Sequence, residues 1–443
     1  MKSADLVVIG GSAAGPQAAM VASRHYMIDS IIVIRREEKV LVPCGIPYIF
    51  GTLGSADKNL MPDTLLGNAE LIIDDVTAID RSSQTVSTAG GETIGYKKLV
   101  LATGSRPIVP PIPGAELQNV FTVKKDVGYL QQLQQVLAGA QDLVVIGGGF
   151  IGVEFADECR KLGLNVTIVE LLPHCLQLVC TEDLCAKAEE KLREAGIRVI
   201  TANGVKSILG DGKVGGVELS DGERLKADVV IIGIGVAPNT ELAREAGLEI
   251  GEQRGVKVDE YMMTTDPNIF AAGDCADKFS FFTGKPSALR LASIATAEAR
   301  IAVTNLFEPR RKNRGAMGVF STKVGDLAVA VAGLHERSAA EAGFDIVTGD
   351  SAAVDKHPGS MPGAAQLSVR LVFERQSARL LGGEIWGGST AAEIANTLAA
   401  LISQGVTAED VAFLQVGTHP AFTASPLASQ VVNAAERALP SVA

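Results

Sequence analysis

One string of seven residues occurs twice in this chain, and a cysteine follows its first copy. Asp-Leu-Val-Val-Ile-Gly-Gly runs from Asp5 to Gly11 and again from Asp142 to Gly148. In each copy an apolar run breaks into a glycine turn and then a helical pattern. That is the strand, turn and helix of a dinucleotide-binding unit. Two units in one chain point to two dinucleotides. Cys44 lies in Pro43-Cys44-Gly45-Ile46-Pro47-Tyr48. Together these residues predict a relay from nicotinamide to flavin to thiol.

The first turn is Gly10-Gly11-Ser12-Ala13-Ala14-Gly15. Glycine lets backbone N–H groups approach a pyrophosphate, and the following helix adds its positive end. Ser12 stands where a middle glycine is usual, and is small enough for a close approach. An acid at the end of the next strand usually holds a ribose hydroxyl; Arg35 occupies that position here, with Glu37 and Glu38 just beyond. The second turn, Gly147-Gly148-Gly149-Phe150-Ile151-Gly152, matches the pattern fully, and Glu170 ends the strand after it. A carboxylate there accepts both ribose hydroxyls and repels a 2′-phosphate, so NADH is expected over NADPH. The competing reading, glycines that only pack a helix on a strand, carries less weight with two such turns.

Gly45 beside Cys44 is expected to leave space for a flat ring. Cys44 is placed at the start of a helix running through Ile49, where a thiol pKa falls. A buried small hydrophobe is the alternative for any free cysteine. Cys175, Cys180 and Cys185 are five apart, which fits no common zinc spacing, and Cys159 and Cys275 are isolated; all five are read as structural. His419 lies in Gly417-Thr418-His419-Pro420-Ala421-Phe422, and a histidine is a residue type suited to proton transfer to a thiolate. On composition alone an ordinary loop or interface histidine is the favoured reading.

These groups need a scaffold. Residues 5–35 read as strand, helix, strand, and residues 70–105 as short strands ending in Leu99 to Gly104. Pro107, Pro110, Pro111 and Pro113 mark a boundary. A second nucleotide unit spans about 120–240 and closes with Val229 to Ile232, running into Gly233 to Asn239. Asn268 to Asp274 is a strand presenting an acid at its end, and Ala288 to Leu306 reads as a helix. Pro309 to Gly315 reads as a linker. Residues 315–443 form an α+β segment, with strands Leu367 to Phe373 and Leu380 to Trp386 and a helix Ala391 to Leu401. At 443 residues the chain has room for roughly three domains of about 150 residues. Its net charge of −11 argues against a nucleic-acid surface. No apolar run approaches the roughly 18 residues of a membrane span. The first strand begins at Leu6, which leaves no room for a signal peptide, and six cysteines without a secretory context fit a reducing compartment; the expected location is the cytoplasm.

In order and type these motifs resemble the pyridine nucleotide-disulfide oxidoreductase family. They include Thr103-Gly104-Ser105-Arg106-Pro107, Gly233 to Asn239 and Ala272-Gly273-Asp274. The nearest branch is the single-cysteine one, with coenzyme A-disulfide reductases, NADH oxidases and peroxidases, and NADH-dependent persulfide or sulfur reductases. The resemblance implies an α/β fold of two Rossmann-like domains and a C-terminal α+β dimerisation domain. It implies FAD bound by residues 1–119 and 240–314, through Gly10 to Gly15, Thr103-Gly104, Asp274 on the ribityl chain, and the backbone at Val76 and Ala292. It implies NADH bound by residues 120–239, through Gly147, Gly149, Ile151, Gly152, Glu170 and Gly235, with Phe150 covering the flavin before NADH enters. It implies a homodimer built by residues 315–443.

The departures narrow the branch. Ala13 stands where peroxidases and oxidases carry a histidine. Ser360 and Met361 precede Pro362-Gly363 where coenzyme A-disulfide reductases typically have tyrosines. His419-Pro420 resembles the His-Pro of two-cysteine disulfide reductases, whose histidine works opposite the partner subunit's cysteine, but Ala424 replaces the supporting glutamate. A rhodanese domain is absent. The expected function is an NADH- and FAD-dependent reductase of a disulfide, persulfide or polysulfide acting through Cys44, with His419 as proton donor. An oxidase or peroxidase using a Cys44 sulfenic acid, and an electron-transfer flavoprotein serving a protein partner, remain alternatives.

Overall fold

Strand Lys2–Ile9 sits at the centre of the first sheet, and its run Leu6 to Val8 is fully buried. Apolar side chains on both faces are what a parallel sheet covered by helices requires. The computed structural model describes residues 2–26 and 28–442. These divide into two compact units, one of residues 2–26, 28–110, 121–139 and 234–316, the other of residues 111–120, 140–233 and 317–442.

In the first unit Lys2–Ile9 pairs in parallel with Ile31–Arg35 on one side and Thr93–Leu101 on the other. Glu70–Ile73 extends the sheet beyond Ile31–Arg35, and Ile269–Ala271 pairs in parallel with Thr93–Leu101. Val76–Asp80 and Thr85–Thr88 add an antiparallel edge. Helix Ala14–His25 is the crossover between the first two strands, since parallel neighbours cannot be joined by a tight turn. It packs on helix Ala292–Thr304, and both helices bury small residues, Ala18, Ala19 and Ala22 in the first and Ala295, Ala299 and Ala302 in the second. That second helix starts four residues later than expected. Leu291 is extended, and Arg290 is turned to donate to the carbonyls of Asp274 and Gln253.

The second unit repeats the plan with strands Arg198–Ile200, Asn165–Val169, Asp142–Ile146 and Val229–Ile232, all parallel in that order. The C-terminal part is a five-stranded antiparallel sheet in the order Val319–Val324, Leu327–Gly333, Leu380–Gly387, Gln366–Glu374, Ile346–Val354. Helices Ala391–Gln404 and Gln430–Ala438 cover it. The fold is therefore α/β, with two Rossmann-like sheets and a C-terminal α+β segment. No helix among the described residues is long and apolar enough to cross a membrane.

Candidate cofactor and redox site

The first glycine turn is forced by contact. Gly10 has φ +123°, and a Cβ there would lie 2.0 Å from the Ala102 carbonyl oxygen. A Cβ on Gly15 would lie 1.8 Å from the Gly10 carbonyl oxygen. Helix Ala14–His25 follows, and Ala13 before it makes no side-chain cap to its first N–H groups. The turn opens on a cavity of about 1040 Å³ in the first unit, lined by Gly10, Gly11, Ser12, Val76, Thr103 and Gly104 among others. Six of the expected FAD residues thus meet at one cavity. Ala13, Ala14 and Gly15 stand behind it as the start of the helix.

Asp274 is tied to the same wall. Ser105 Oγ donates to its carboxylate at 2.7 Å and Lys125 Nζ lies 3.6 Å away; Ser105 and Lys125 both line the cavity. Thr103 and Asn239 clamp each other, Thr103 Oγ1 donating to the Asn239 carbonyl at 2.8 Å and Asn239 Nδ2 to the Thr103 carbonyl at 2.9 Å. Beneath Asp274 lies a buried ion pair that the sequence does not announce. Lys278 Nζ donates to Glu298 at 2.9 Å and to the Gly273 carbonyl at 2.7 Å, while Glu298 accepts from the Gly273 N–H at 2.9 Å. Burial pushes the Glu298 pKa up, and the Lys278 ammonium opposes that. Ala292 is the first residue of its helix, which likewise has no side-chain cap.

Two expectations about Cys44 need correction. Its segment forms two separate 3₁₀ turns, Pro43–Gly45 and Pro47–Ile49, not a helix. Pro47 has no N–H to continue a hydrogen-bond ladder, and an i→i+3 turn is what remains. Nor does Gly45 leave space for a ring. A Cβ there would meet Asn59 Oδ1 at 1.9 Å, and Asn59 itself is buried and donates to the Val42 carbonyl at 2.9 Å. The glycine admits the asparagine, and the asparagine fixes the loop before Cys44. Leu41, three residues before Cys44, lines the cavity. Cys44 is exposed while the other five cysteines are buried. Burial raises the pKa of Cys159 and Cys185 to about 12 and that of Cys175, Cys180 and Cys275 also upward, so those thiols stay protonated.

In the second unit Gly147 has φ +106°, and a Cβ on Gly152 would lie 1.9 Å from the Gly147 carbonyl oxygen. The Glu170 carboxylate accepts from the Gly148 N–H at 2.5 Å and the Leu172 N–H at 2.7 Å, which sets it at the rim of the turn. Helix Phe150–Arg160 starts at Gly149 with no side-chain cap, and Ile151 and Gly152 form its first turn. The Phe150 ring stacks on Phe320 at 5.2 Å. One turn further on, Glu154 accepts from Thr322 Oγ1 at 2.9 Å, and burial raises its pKa to about 7. Gly235, also expected at this site, falls in the first unit, where its carbonyl accepts from Ile108 N–H at 3.0 Å.

His419 lies on an exposed turn of the second unit. Its Nδ1 accepts from the Ala421 N–H at 3.2 Å, and its ring stacks on Phe422 at 4.8 Å. Nearby stretches leave Phe413, Phe422 and Leu427 at 77%, 70% and 92% exposure, an apolar set unusual for a free surface.

Residues 4–299 match the model of the pyridine nucleotide-disulphide oxidoreductases, and residues 319–428 match the dimerisation domain of the same proteins. The chain is 31% identical to an NADH oxidase of Methanocaldococcus jannaschii, over 92% of this chain and 93% of the relative. It is 30% identical to an NAD(P)H coenzyme A polysulfide/persulfide reductase of Pyrococcus horikoshii, over 94% and 95%. The structure of an NAD-dependent persulfide reductase from A. fulgidus superposes with a TM-score of 0.90 at 33% identity, covering 98% of this chain and 83% of that one. With two glycine turns, a cavity at the first and a carboxylate at the rim of the second, the chain belongs to the pyridine nucleotide-disulphide oxidoreductase family, as an FAD-dependent oxidoreductase that draws electrons from a nicotinamide nucleotide.

Proposed function

We propose that this protein reduces a sulfur–sulfur bond at Cys44 with electrons from NADH. The observation that carries the reading is the exposure of Cys44, alone among six cysteines, on a loop that continues from the cavity wall. The cavity residues Gly10, Gly11, Ser12, Val76, Thr103 and Gly104, with Asp274 and Ala292, would hold FAD. Residues 1–119 and 240–314 form that functional domain. Gly147, Gly149, Phe150, Ile151, Gly152 and Glu170 would hold NADH. Each Glu170 oxygen has one lone pair occupied by a backbone N–H and capacity left for a ribose hydroxyl.

When bound, FAD supplies two-electron transfer between nicotinamide and thiol. Cys44 supplies the nucleophile. Its thiolate attacks one sulfur of a disulfide, persulfide or polysulfide, the S–S bond breaks, and the second sulfur leaves as a thiolate. The resulting Cys44 mixed disulfide or persulfide takes two electrons that came from NADH, which releases the bound sulfur and restores the Cys44 thiolate. His419, from the partner subunit of a homodimer built by residues 315–443, protonates the leaving thiolate. The exposed Phe413, Phe422 and Leu427 support that C-terminal interface. The sulfur acceptor is a small molecule of the coenzyme A disulfide or persulfide type, and the setting is the cytoplasm.

The M. jannaschii relative named an NADH oxidase favours a second reading, with a Cys44 sulfenic acid formed by oxygen or peroxide. NADH oxidation separates the two. Under anaerobic conditions, coenzyme A disulfide, a persulfide and polysulfide are supplied in turn. Acceptor-dependent turnover that is lost in Cys44→Ser supports the reductase. Turnover with oxygen alone, and none with the sulfur acceptors, refutes it.

A further inference from the structure

The first nucleotide turn lacks the strand-end carboxylate that holds an adenosine ribose, and Arg35 stands in its place. The side chain of Arg35 is 3% exposed, and each of its three guanidinium nitrogens has a partner. Nε donates to the Glu37 carbonyl at 2.8 Å, Nη2 to the Glu38 carbonyl at 2.9 Å, and Nη1 lies 2.7 Å from the Asp63 carboxylate. Its stem fills the space under the turn; a Cβ on Gly11 would lie 2.3 Å from Arg35 Cδ. A guanidinium has no acceptor to offer a ribose hydroxyl, and each nitrogen of this one already meets an oxygen of the loop after it or of Asp63.

Arg35 instead fixes the backbone just after it. By holding the carbonyls of residues 37 and 38 it sets the chain beside the glycine turn, and Glu37 is half-buried in the cavity wall while Glu38 is exposed. Two other acids line the same end. Both oxygens of Asp74 are taken by the N–H groups of Asp75 and Gly90, and Asp75 is exposed. Among the described residues the Glu37 carboxylate meets only Arg36, at 3.8 Å, beyond hydrogen-bond length.

We infer that Glu37, two residues beyond the usual position, is the acceptor for the ribose hydroxyls at the adenosine end of the cavity, and that Arg35 is its positioning residue. This role depends on FAD occupying the cavity. It makes the loop Arg35 to Glu38 a specificity element: it reads the adenosine half of the cofactor and is blind to the flavin half.

The test titrates apoprotein with FAD and with FMN, which lacks the adenosine, following flavin fluorescence. Glu37→Ala is expected to weaken FAD by about tenfold or more, the loss of charge-assisted hydrogen bonds, and to leave FMN binding unchanged. Asp75→Ala is expected to bind both as the unmodified protein does. Unchanged FAD affinity in Glu37→Ala overturns the inference. So does an equal loss for FMN, which would mark a general disturbance of the cavity. Unmodified apoprotein that binds neither flavin refutes the flavin site itself, and the unmodified arm tells that failure from the other two.

Discussion

Removing Lys278 tests how the turn that carries Asp274 is held. Lys278 and Glu298 are 2% and 3% exposed in their side chains, and both grip Gly273, one through its carbonyl and one through its N–H. Lys278→Met leaves a carboxylate buried without its cation. Breaking such a pair costs about 3–5 kcal/mol, far more than the pair contributes relative to apolar residues of the same size. The damage is local, so the assay is hydrogen exchange across residues 269–279 in the apoprotein. At about 1.4 kcal/mol per factor of ten, exchange there should quicken by roughly 10²–10³-fold or more, with FAD retention falling in parallel. The sign with pH comes from the Glu298 carboxyl, whose folded pKa is raised by burial. Folding then favours the protonated form, so the defect is fullest above the raised pKa and shrinks as pH falls toward it. Lys278→Met with Glu298→Gln removes the orphaned charge and keeps an acceptor for Gly273 N–H, so it should recover much of the loss. Exchange within tenfold of the unmodified protein, in a Lys278→Met variant that keeps its FAD, would refute the reasoning.

Cys44→Ser should abolish turnover of the sulfur acceptor while leaving flavin bleaching by NADH intact, a separation read by stopped-flow; unchanged turnover would make Cys44 incidental. Glu170→Ala should narrow the preference for NADH over NADPH in kcat/KM, and equal efficiency already present in the unmodified protein would show that Glu170 does not meet the ribose. Cys44→Ser and His419→Ala homodimers should each be nearly inactive, and co-expressed heterodimers should regain activity through one complete site; an active His419→Ala homodimer would remove the histidine from the mechanism. Glu154 has its folded pKa raised by burial from 4.5 to about 7, so stability falls as pH rises between those two values and levels off above the higher one. Glu154→Gln should therefore stabilise at pH 8, by about 2 kcal/mol after allowing for residual solvent, and be close to neutral at about pH 4, below the unfolded value; thermal melts at both pH values check this.

The two nucleotide turns are legible in the sequence because their geometry is local. Gly10 and Gly147 are needed for positive φ, Gly15 and Gly152 for close approach, and both requirements fall within six residues. The Cys44 segment is half legible. Pro43 and Pro47 already announce a broken helix, a stronger signal than the prospect of a helix N-terminus at the cysteine. That the space at Gly45 goes to Asn59 cannot be read, because a contact 14 residues away leaves no periodic trace. Arg35 stands out as a departure, but its role depends on which carbonyls the guanidinium reaches. Lys278 and Glu298 lie 20 residues apart, one on a short strand and one inside a helix, and nothing in the spacing marks them as partners.

The same limit explains why residues 317–442 group with the second nucleotide unit. Composition marks a linker at Pro309 to Gly315; there the Asn305 side chain bonds the backbone of Arg310 and Arg311, and Asn313 N–H donates to the Glu260 carbonyl. Side chains decide where the C-terminal sheet docks beyond that linker. The strand Val319–Val324 sets Phe320 against Phe150 and Thr322 against Glu154, so it reads along the helix that begins at the second glycine turn. Glu384, fully buried with its pKa raised by burial to about 6, accepts from Thr181 N–H and Oγ1 at 2.7 Å each. Arg370 bridges Asp183 and Asp350 beside it. A buried carboxyl is costly unless its partners are in place, so these contacts specify one docking of the C-terminal sheet on the nucleotide-binding strands. The helix that begins at the expected NADH turn is thereby coupled to the segment expected to form the dimer, through Thr322 and Phe320 in particular. Substitutions on that strand, remote in sequence from either glycine turn, act directly on the Phe150 ring and the Glu154 carboxyl.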